Sequence, residues 1–446
     1  MKLIYNKVLV NLGNNEYILI NTLNGKINLL DEKNHMIFAK WDGCGKIEPG
    51  DIEEASLYKA LLADGFLVKD EKEESQRKES ILSPLRNANI KQRNKFFALT
   101  FIPTYDCNFR CSYCYEAGNV SYDYQMSKEM VDAALDITDD KMLTKIQLFG
   151  GEPLLLENRE IVEYIFSRCK DKRFLIVTNG YTLMDYLDVL TGHNFQHIQV
   201  TLDGTTETHN KKRHLYDGTP TFERIMEGTE ACLIQDIPIH IRMNVEENNI
   251  EECINLRDDL LEKWKKYESK ISFELAPLFQ LHSESRQDVI ERLTEEDANK
   301  SLDELMHANS ILASFRPIID YFLTGMAPKP TYSFCRAHGG SIFVDPLGDI
   351  YTCILSLGQK DLSVGTYYPE VKWKENSILM RNIENIPECM TCEYALICGG
   401  GCPMLLDGYE DVFRPVCLET KRDIHTLIPY FYNMKRLKEG EDVCGY

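Results

Sequence analysis

The sequence predicts an α/β protein in which a parallel sheet with flanking helices is preceded by a small module and followed by a cysteine-rich region. From Phe96 onward, six strand-like runs alternate with helical runs, which implies a parallel sheet that is open or partly closed into a barrel. Before residue 70, alternating apolar residues are followed by two short helical patterns. The third observation is the cysteine content: the chain has 15, and most fall in two ordered sets.

The N-terminal module is predicted to be winged-helix-like. Alternating apolar runs flank Asn24-Gly25, a dipeptide typical of a β-hairpin turn. Asp31 and Asp51 are predicted N-caps of two helices that follow. Strands followed by short helices make this module, and a charged stretch then bridges it to the sheet.

The alternating region supplies the main sheet. Its predicted strands are Phe97–Ile102, Ile146–Phe149, Phe174–Thr178, Ile198–Leu202, Ile239–Val245 and Ile271–Leu275. Helices are predicted between them, for example over Ser127–Leu143, with Ser127 as the N-cap, and over Phe222–Ile234. Active residues of such sheets lie at the carboxyl ends of the strands, so we expect the site there. The predicted segments are a winged-helix-like module (1–70), a bridging segment (71–95), the sheet (96–290), a helical linker (291–330) and the cysteine-rich region (331–446).

The composition excludes two classes of partner. A net charge of −20 argues against general nucleic-acid binding, which needs an excess of Lys and Arg, and against adsorption to anionic membranes. No apolar run approaches the roughly 18 residues of a membrane helix, and the N-terminus lacks a signal-peptide pattern. We therefore expect a cytoplasmic protein without nucleic-acid or membrane partners. In that reducing compartment cysteines are more often metal ligands than disulfides.

The first cysteine set is Cys107-x3-Cys111-x2-Cys114, directly after the first predicted strand. Three thiolates can hold three irons of a cubane [4Fe–4S] cluster and leave the fourth iron open for a substrate or cofactor. Structural zinc fits this set poorly, because it needs four ligands and no fourth Cys or His is nearby. The set predicts a redox enzyme.

The second set has thiolates for two further clusters. It comprises Cys335, Gly348-x4-Cys353, Cys389-x2-Cys392-x5-Cys398-x3-Cys402 and Cys417. Four isolated cysteines are instead predicted to be small buried apolar residues: Cys44, Cys169, Cys232 and Cys253.

With Tyr113 just before its last cysteine, the first set resembles the motif of the radical S-adenosylmethionine (SAM) superfamily. The resemblance implies that the open iron binds SAM, whose reductive cleavage gives a 5′-deoxyadenosyl radical. It also implies cofactor contacts at the strand ends, in the stretches Gly150-Gly151-Glu152-Pro153, Val177-Thr178-Asn179-Gly180 and Thr201-Leu202-Asp203-Gly204. The implied cofactor-binding residues are Tyr113, Gly150, Gly151, Glu152, Thr178, Asn179, Thr201, Asp203, Arg213 and Asn244.

The second set resembles the twin-cluster domain called SPASM. Together with the cluster of the first set, the resemblance implies three [4Fe–4S] clusters in all. The resemblance implies that Cys335, Cys353 and Cys402 hold the first auxiliary cluster. It assigns the second auxiliary cluster to Cys389, Cys392, Cys398 and Cys417. The first auxiliary cluster is one ligand short: either Cys444 completes it, or its iron is open to a substrate thiolate.

With its SPASM-like region and its N-terminal module, the chain resembles ribosomal-peptide maturases of the thioether-forming type. The resemblance implies a precursor peptide with a leader sequence as substrate, and a flavodoxin or ferredoxin as electron donor. Carbon–carbon crosslinking and epimerisation remain open. An alternative is a formylglycine-forming sulfatase-maturing enzyme, but that group typically has an Asp directly after the Gly-x4-Cys cysteine, where this chain has Ile354. A regulator without turnover is a third alternative, and the intact motifs argue against it.

Overall fold

The computed structural model describes most of the chain. The described residues are 1–92, 95–114, 116, 124–278, 292, 328–335, 340–375, 378–406, 408–417, 421, 424–425, 428–429, 432–433 and 436. They fall into two compact units. The cysteine-rich unit comprises the described residues within Met1–Arg93, Phe315–His338 and Ser377–Tyr446. The sheet unit comprises those within Asn94–Ser314 and Gly339–Asn376.

The N-terminal part of the cysteine-rich unit has two small antiparallel sheets and three helices. Its strands are β1 (Lys2–Leu3), β2 (Lys7–Gly13), β3 (Glu16–Asn21), β4 (Ile27–Leu30) and β5 (Leu67–Val68). Its helices are α1 (Glu32–Trp41), α2 (Ile52–Ala63) and α3 (Glu71–Gln92). Strands β2, β3 and β4 form one sheet, and β1 pairs with β5.

Several local predictions for this module are confirmed. Strands β3 and β4 pair antiparallel on either side of Asn24-Gly25. The side chain of Asp31 accepts a hydrogen bond from the main-chain N of Asn34 at 2.8 Å, and Asp51 caps α2 in the same way through Glu54. The charged stretch 71–95 differs from a plain bridge, because it forms the 22-residue helix α3 as far as Gln92.

The N-terminal module and the second cysteine set share one apolar core. Leu23, after β3, and Leu82, on α3, pack in one cluster with Ile386, Cys389 and Leu396. Around this core, Arg86 of α3 makes a two-pronged ion pair with Glu384, with N–O distances of 2.8 and 2.6 Å. The module is therefore fixed to the segment that carries Cys389.

The sheet unit is built from alternating strands and helices. Its strands are β6 (Ala98–Phe101), β7 (Lys145–Leu148), β8 (Arg173–Val177), β9 (Phe195–Thr201), β10 (Ile239–Val245), β11 (Ile271–Pro277), β12 (Ser341–Val344), β13 (Asp349–Tyr351), β14 (Gly365–Thr366) and β15 (Lys372–Trp373). Its helices are α4 (Lys128–Asp136), α5 (Arg159–Arg168), α6 (Leu183–Leu190), α7 (Thr206–Lys212), α8 (Phe222–Ile234) and α9 (Ile250–Lys263). Two short helices, α10 (Pro387–Met390) and α11 (Ala395–Cys398), belong to the cysteine-rich unit.

The strands of the sheet unit form one sheet of ten strands in the order β11-β10-β9-β8-β7-β6-β12-β13-β14-β15. Strands β6 to β12 are parallel to one another, and β13, β14 and β15 extend the sheet antiparallel. Apolar side chains fill one face of the central strands: Leu99, Ile146, Ile176, Ile198 and Ile241 share this face by the strand register and are all fully buried.

The six predicted strands are all present, with small shifts at their ends, and α8 has the predicted bounds. Helix α4 is capped by Ser127 as predicted but ends at Asp136 instead of Leu143. Strand β12 was not predicted as part of the main sheet. It pairs in parallel with β6, so Ile342 lies opposite Leu99, and residues 340–375 belong to the sheet unit. The predicted segment 331–446 is thus divided between the two units, because strand pairing joins residues 340–375 to the main sheet.

Three of the four isolated cysteines are buried as predicted, and Cys44 is exposed. Most of the predicted helical linker, residues 291–330, lies outside the described residues, as does Cys444. Among the described residues, none of the helices combines the length and the apolarity needed to cross a membrane.

Candidate active site

The loop after β6 carries the first cysteine set at the carboxyl end of the sheet. An isolated antiparallel bridge joins Phe109 to Leu215, in the segment after α7. The main-chain N of Arg110 donates to the O of His214 at 2.9 Å, and that of Ser112 donates to the O of Lys212 at 3.1 Å. These bonds hold the cysteine loop against the segment that follows β9.

A cavity of about 440 Å³ opens beside this loop, within the usual size range of small-molecule sites. Most residues predicted from the sequence line it: Cys107, Cys111, Tyr113, Cys114, Gly150, Gly151, Thr178, Asn179, Thr201, Arg213 and Asn244. Glu152 and Asp203 are fully buried behind this lining. The structure therefore brings the three cysteines and the four predicted strand ends together at one place.

Gly151 lets the chain pass directly against the cysteine loop. A Cβ atom on Gly151 would lie 2.3 Å from the carbonyl oxygens of both Tyr105 and Asp106, closer than real contacts allow. Gly150 has a left-handed φ of +114° and meets Thr104 in the same way. From the sequence we expected these glycines to admit a ligand; the structure shows that they also admit the backbone leading into Cys107.

Glu152 ties the end of β7 to the end of β8. Its Oε1 accepts hydrogen bonds from the main-chain N of Leu154 (2.8 Å) and the hydroxyl of Thr178 (2.7 Å), and its Oε2 accepts one from the main-chain N of Asn179 (2.6 Å). Burial raises the pKa of Glu152, while these hydrogen bonds oppose the shift. The carboxylate thus positions two residues of the lining, and its predicted contact with the cofactor's amino group stays a prediction.

Tyr113 is the centre of a hydrogen-bond network between the cysteine loop and two strand ends. Its hydroxyl donates to the carboxylate of Asp203 and accepts from Arg213 Nη1 (2.8 Å) and Asn244 Nδ2 (3.2 Å). The other oxygen of Asp203 accepts from the main-chain N of Asn244 at 2.8 Å. Every hydrogen-bonding site of the phenol is used, so its ring is fixed beside Cys114.

His209 holds Arg213 in place. Its Nδ1 accepts from the main-chain N of Asp203 (3.3 Å), and its Nε2 lies 3.2 Å from the hydroxyl of Thr221, which donates to the carbonyl of Arg213 (2.6 Å). Burial, and then the charge of Arg213, lower the pKa of His209 to about 3. His209 is therefore neutral at physiological pH and acts as a structural link.

The lining fits an iron–sulfur cluster together with an anionic ligand group that would balance the charge of Arg213. Burial raises the pKa of the Cys107 thiol to about 12 and raises that of Cys111 as well, so both are protonated until metal displaces the protons. Arg213 is buried beside them, and its Nε has no hydrogen-bond partner among the described residues. An unpaired buried donor on a residue that lines the same cavity as the three thiols suits an anionic ligand group such as a carboxylate.

Arg242 lines the cavity on the same face of β10 as Asn244, as their period-two spacing in the sequence predicts, with its Nη1 3.2 Å from the carboxylate of Glu274. Sequence reasoning missed other parts of the lining. Glu116 also lines the cavity, and burial raises its pKa to about 7. Ile354 and Leu355 contribute apolar surface to the cavity. Local sequence patterns could not place them there, because the other lining residues lie much earlier in the chain.

The second cysteine set is partly assembled within the cysteine-rich unit. Burial raises the pKa of Cys389 to about 12, and the sulfurs of Cys398, Cys392 and Cys417 raise it further, so these four thiols share one neighbourhood. Cys335 and Cys402 lie in the same unit, whereas Cys353 lies in the sheet unit. Among the described residues, no three His, Cys, Asp or Glu groups could hold one metal ion. Cluster thiolates each bind a different iron and are therefore more widely spaced.

Residues 101–260 match the family model described as the radical SAM superfamily. The chain therefore contains a radical SAM domain, the module of enzymes that use radical chemistry, and such a domain implies a [4Fe–4S] cluster and SAM.

Among curated proteins, GTP 3′,8-cyclase of Campylobacter jejuni subsp. doylei is 30% identical over 180 residues, 38% of this chain and 52% of that protein. GTP 3′,8-cyclase of Sulfurimonas denitrificans is 24% identical over 253 residues, 54% of this chain and 70% of that protein. The chain thus spans about half the length of the first of these relatives.

Two solved structures share the fold over more of the chain. Native anSMEcpe with bound AdoMet and Cp18Cys peptide has a TM-score of 0.55 at 18% identity, covering 77% of this chain and 99% of its own. Streptococcus suis SuiB bound to precursor peptide SuiA has a TM-score of 0.51 at 15% identity, covering 93% of this chain and 98% of its own. At such identities the similarity is one of fold.

Proposed function

We propose that this protein is a peptide maturase that removes hydrogen from a residue of a ribosomally made precursor peptide and closes an intrapeptide crosslink, a cysteine thioether. The peptide loses two hydrogen atoms overall, which amounts to two protons and two electrons. The observation that carries the proposal is the N-terminal module, which shares an apolar core with the second cysteine set within one compact unit.

The N-terminal module offers a surface for a leader peptide. Among the described strands, β4 is at the edge of its sheet and pairs only with β3. Leu29 on β4 is 53% exposed, and Met36 on the following helix is 67% exposed. An exposed strand edge with apolar neighbours suits addition of a peptide as a further strand, with main-chain hydrogen bonds for affinity and apolar contacts for specificity. SuiB, which resembles this chain in fold, is bound to a precursor peptide in its structure.

The residue directly after Cys353 favours crosslinking over formylglycine formation. Formylglycine chemistry needs a general base near the reacting cysteine. Ile354 occupies this position and lines the cavity together with Leu355. An apolar side chain there can exclude water from a radical but cannot accept a proton, so a formylglycine route would have to use Glu116, the carboxylate among the described lining residues.

The residues of the sheet unit have separate tasks. With a cluster and SAM bound, the site supplies a carbon-centred radical that takes hydrogen from unactivated carbon. Cys107, Cys111 and Cys114 would hold the cluster, and Arg213 would pair with the carboxylate of the cofactor. Tyr113 fixes Arg213 and Asn244, and Glu152 fixes Thr178 and Asn179. Preorganising the lining in this way limits side reactions.

The second cysteine set would hold two auxiliary clusters that accept the second electron of the oxidation. The four thiols predicted for the second auxiliary cluster share one neighbourhood in the cysteine-rich unit, which supports this part of the proposal. The role of Cys335, Cys353 and Cys402, and that of Cys444, follow from the resemblance to SPASM domains. A flavodoxin or ferredoxin would supply the first electron.

The test is anaerobic incubation of the reconstituted protein with SAM, a reductant and cysteine-containing precursor peptides, with intact mass as the readout. Loss of two hydrogens, together with 5′-deoxyadenosine, is the expected result. The matched control replaces Cys107, Cys111 and Cys114 by Ala. Loss of sulfur and gain of oxygen would indicate formylglycine instead. Unchanged peptide mass would leave epimerisation, which deuterium uptake from heavy water detects. Conversion of GTP in a parallel reaction would assign the chemistry of the curated relatives and overturn the proposal.

A further inference from the structure

Arg381 is a fully buried cation in the cysteine-rich unit. Its residue exposure is 1%, and it lies within the second cysteine set, between Cys353 and Cys389 in the chain. Its guanidinium donates hydrogen bonds to four main-chain carbonyl oxygens, with distances of 2.6 to 2.8 Å: those of Gly400, Gly401, Val412 and Arg414. These acceptors lie between Cys398 and Cys417.

Among the described residues, no carboxylate pairs with Arg381, and its hydrogen-bond acceptors are main-chain carbonyls, which are dipoles and carry no net charge. A buried charge without a counter-charge destabilises the folded state. The groups that oppose the effect of burial on its pKa are all sulfurs: Cys389, Cys398, Cys402 and Cys335. Negative charge on these sulfurs would offset this destabilisation.

The loop that Arg381 holds has little freedom to move elsewhere. Gly399, Gly400 and Gly401, between Cys398 and Cys402, all have left-handed φ angles. A Cβ on Gly399 would lie 2.5 Å from the main-chain N of Phe334, and one on Gly401 would lie 2.0 Å from the carbonyl oxygen of Val416. Phe334 directly precedes Cys335, and Val416 directly precedes Cys417. The glycine loop, flanked by Cys398 and Cys402, thus meets the two segments that carry Cys335 and Cys417, and Arg381 is hydrogen-bonded to its carbonyls.

We propose that Arg381 is a positioning residue that fixes the Cys398–Cys402 loop and supplies the buried positive charge that stabilises the reduced state of an auxiliary iron–sulfur cluster. The inference rests on the proposed auxiliary clusters. A thiolate-ligated cluster carries net negative charge that grows by one on reduction, so a fixed cation nearby raises its reduction potential. The carbonyl hydrogen bonds hold that cation at one place.

The test uses the full chain with Cys107, Cys111 and Cys114 replaced by Ala, so that the remaining iron belongs to auxiliary clusters. Iron content and an EPR-monitored redox titration are compared for the parent, Arg381→Gln and Arg381→Lys. Arg86→Gln is the control, because Arg86 is a partly exposed cation of the same unit paired with Glu384. We expect a lower midpoint potential in Arg381→Gln, a smaller shift in Arg381→Lys, and none in Arg86→Gln.

An unchanged potential in an iron-replete Arg381→Gln protein would overturn the inference while leaving the clusters in place. Absence of iron from the parent would overturn both the clusters and the inference. If Arg381→Gln holds no iron, the lysine variant decides: retained iron supports the role of the charge, and equal loss in both variants overturns it. None of these readouts depends on a peptide substrate, so they are independent of the proposed crosslinking.

Discussion

The hydroxyl of Tyr113 donates to the carboxylate of Asp203, which joins the cysteine loop to the carboxyl end of β9. The same hydroxyl accepts from Arg213 at 2.8 Å, so a cation and an anion are held on opposite sides of one phenol. Burial raises the pKa of Tyr113, which keeps the phenol protonated and able to donate. The aromatic residue before the last cysteine is therefore a hydrogen-bond hub as well as part of the lining.

Replacing Tyr113 by Phe should weaken this site. The change leaves Asp203 and Arg213 without a shared partner, and each unpaired buried group costs about 1–3 kcal/mol. We expect weaker SAM binding and a lower free energy of unfolding, measured by calorimetric titration of the reconstituted protein and by urea unfolding of the iron-free chain. Tyr164→Phe is the control, because that hydroxyl bonds Asp132 at the surface. Equal effects of the two substitutions would contradict the role of the hub.

Replacing Gly151 by Ala should prevent assembly of the first cluster. The new Cβ would sit 2.3 Å from two carbonyl oxygens of the chain leading into Cys107, so the cysteine loop must shift. Overpacking of this kind costs about 1–3 kcal/mol or more. We expect loss of about four iron atoms per chain. Gly45→Ala is the matched control, since nothing lies within 4 Å of a Cβ there. Full iron content in Gly151→Ala would show that the contact is not rigid.

His209 should make the protein less stable as the pH falls below 6.5. Its pKa is lowered from 6.5 to about 3 on folding, so the folded state binds fewer protons than the unfolded state between these values. The contribution of neutral His209 is complete above pH 6.5, declines below it and is fully lost below about pH 3. Between about pH 7.5 and about pH 6.0 the loss is about 1 kcal/mol. Urea unfolding of parent and His209→Gln across this range should show a difference that shrinks toward low pH; a constant difference would contradict it.

Leu29→Arg should weaken leader binding without changing SAM cleavage. A charged side chain on the exposed face of β4 removes the apolar contact expected for an added strand. We expect at least about a tenfold increase in the Kd of a labelled leader peptide, measured by fluorescence anisotropy. Leu156→Arg is the control, because Leu156 is 55% exposed in the sheet unit and nearly matches the 53% of Leu29. A tenfold loss in both variants would indicate a general electrostatic effect.

Much of the fold was readable from local patterns. The strand Ile239–Val245 alternates apolar residues with His240, Arg242 and Asn244, which is the period-two pattern of a strand, and its bounds were predicted as found. The cap residues Asp31, Asp51 and Ser127 were likewise predictable. A side-chain oxygen directly before a helix typically accepts a hydrogen bond from a main-chain N–H of the first turn. The cysteine motif then indicated which end of the sheet carries the site.

The remaining features depend on contacts between distant segments. Glu152 was assigned to the cofactor from its motif, yet its three hydrogen bonds go to neighbouring backbone and to Thr178. Ile354 lines the cavity only because β12 and β13 join the sheet, which no local period reveals. Arginine is usually found at the protein surface, and Arg381 is buried only because the glycine loop packs against it.

The pairing of β6 with β12 has a consequence for synthesis of the protein. Residues 98–101 leave the ribosome long before residues 341–344, by roughly 10–50 s at usual translation rates. During that interval the nascent sheet has an open apolar edge next to three unmetallated thiols, which invites wrong strand pairing and oxidation. The sheet can close beside the cysteine loop only when translation is nearly complete. Closure of the sheet at β6 is therefore a late event, and expression conditions that slow elongation should favour aggregation over folding.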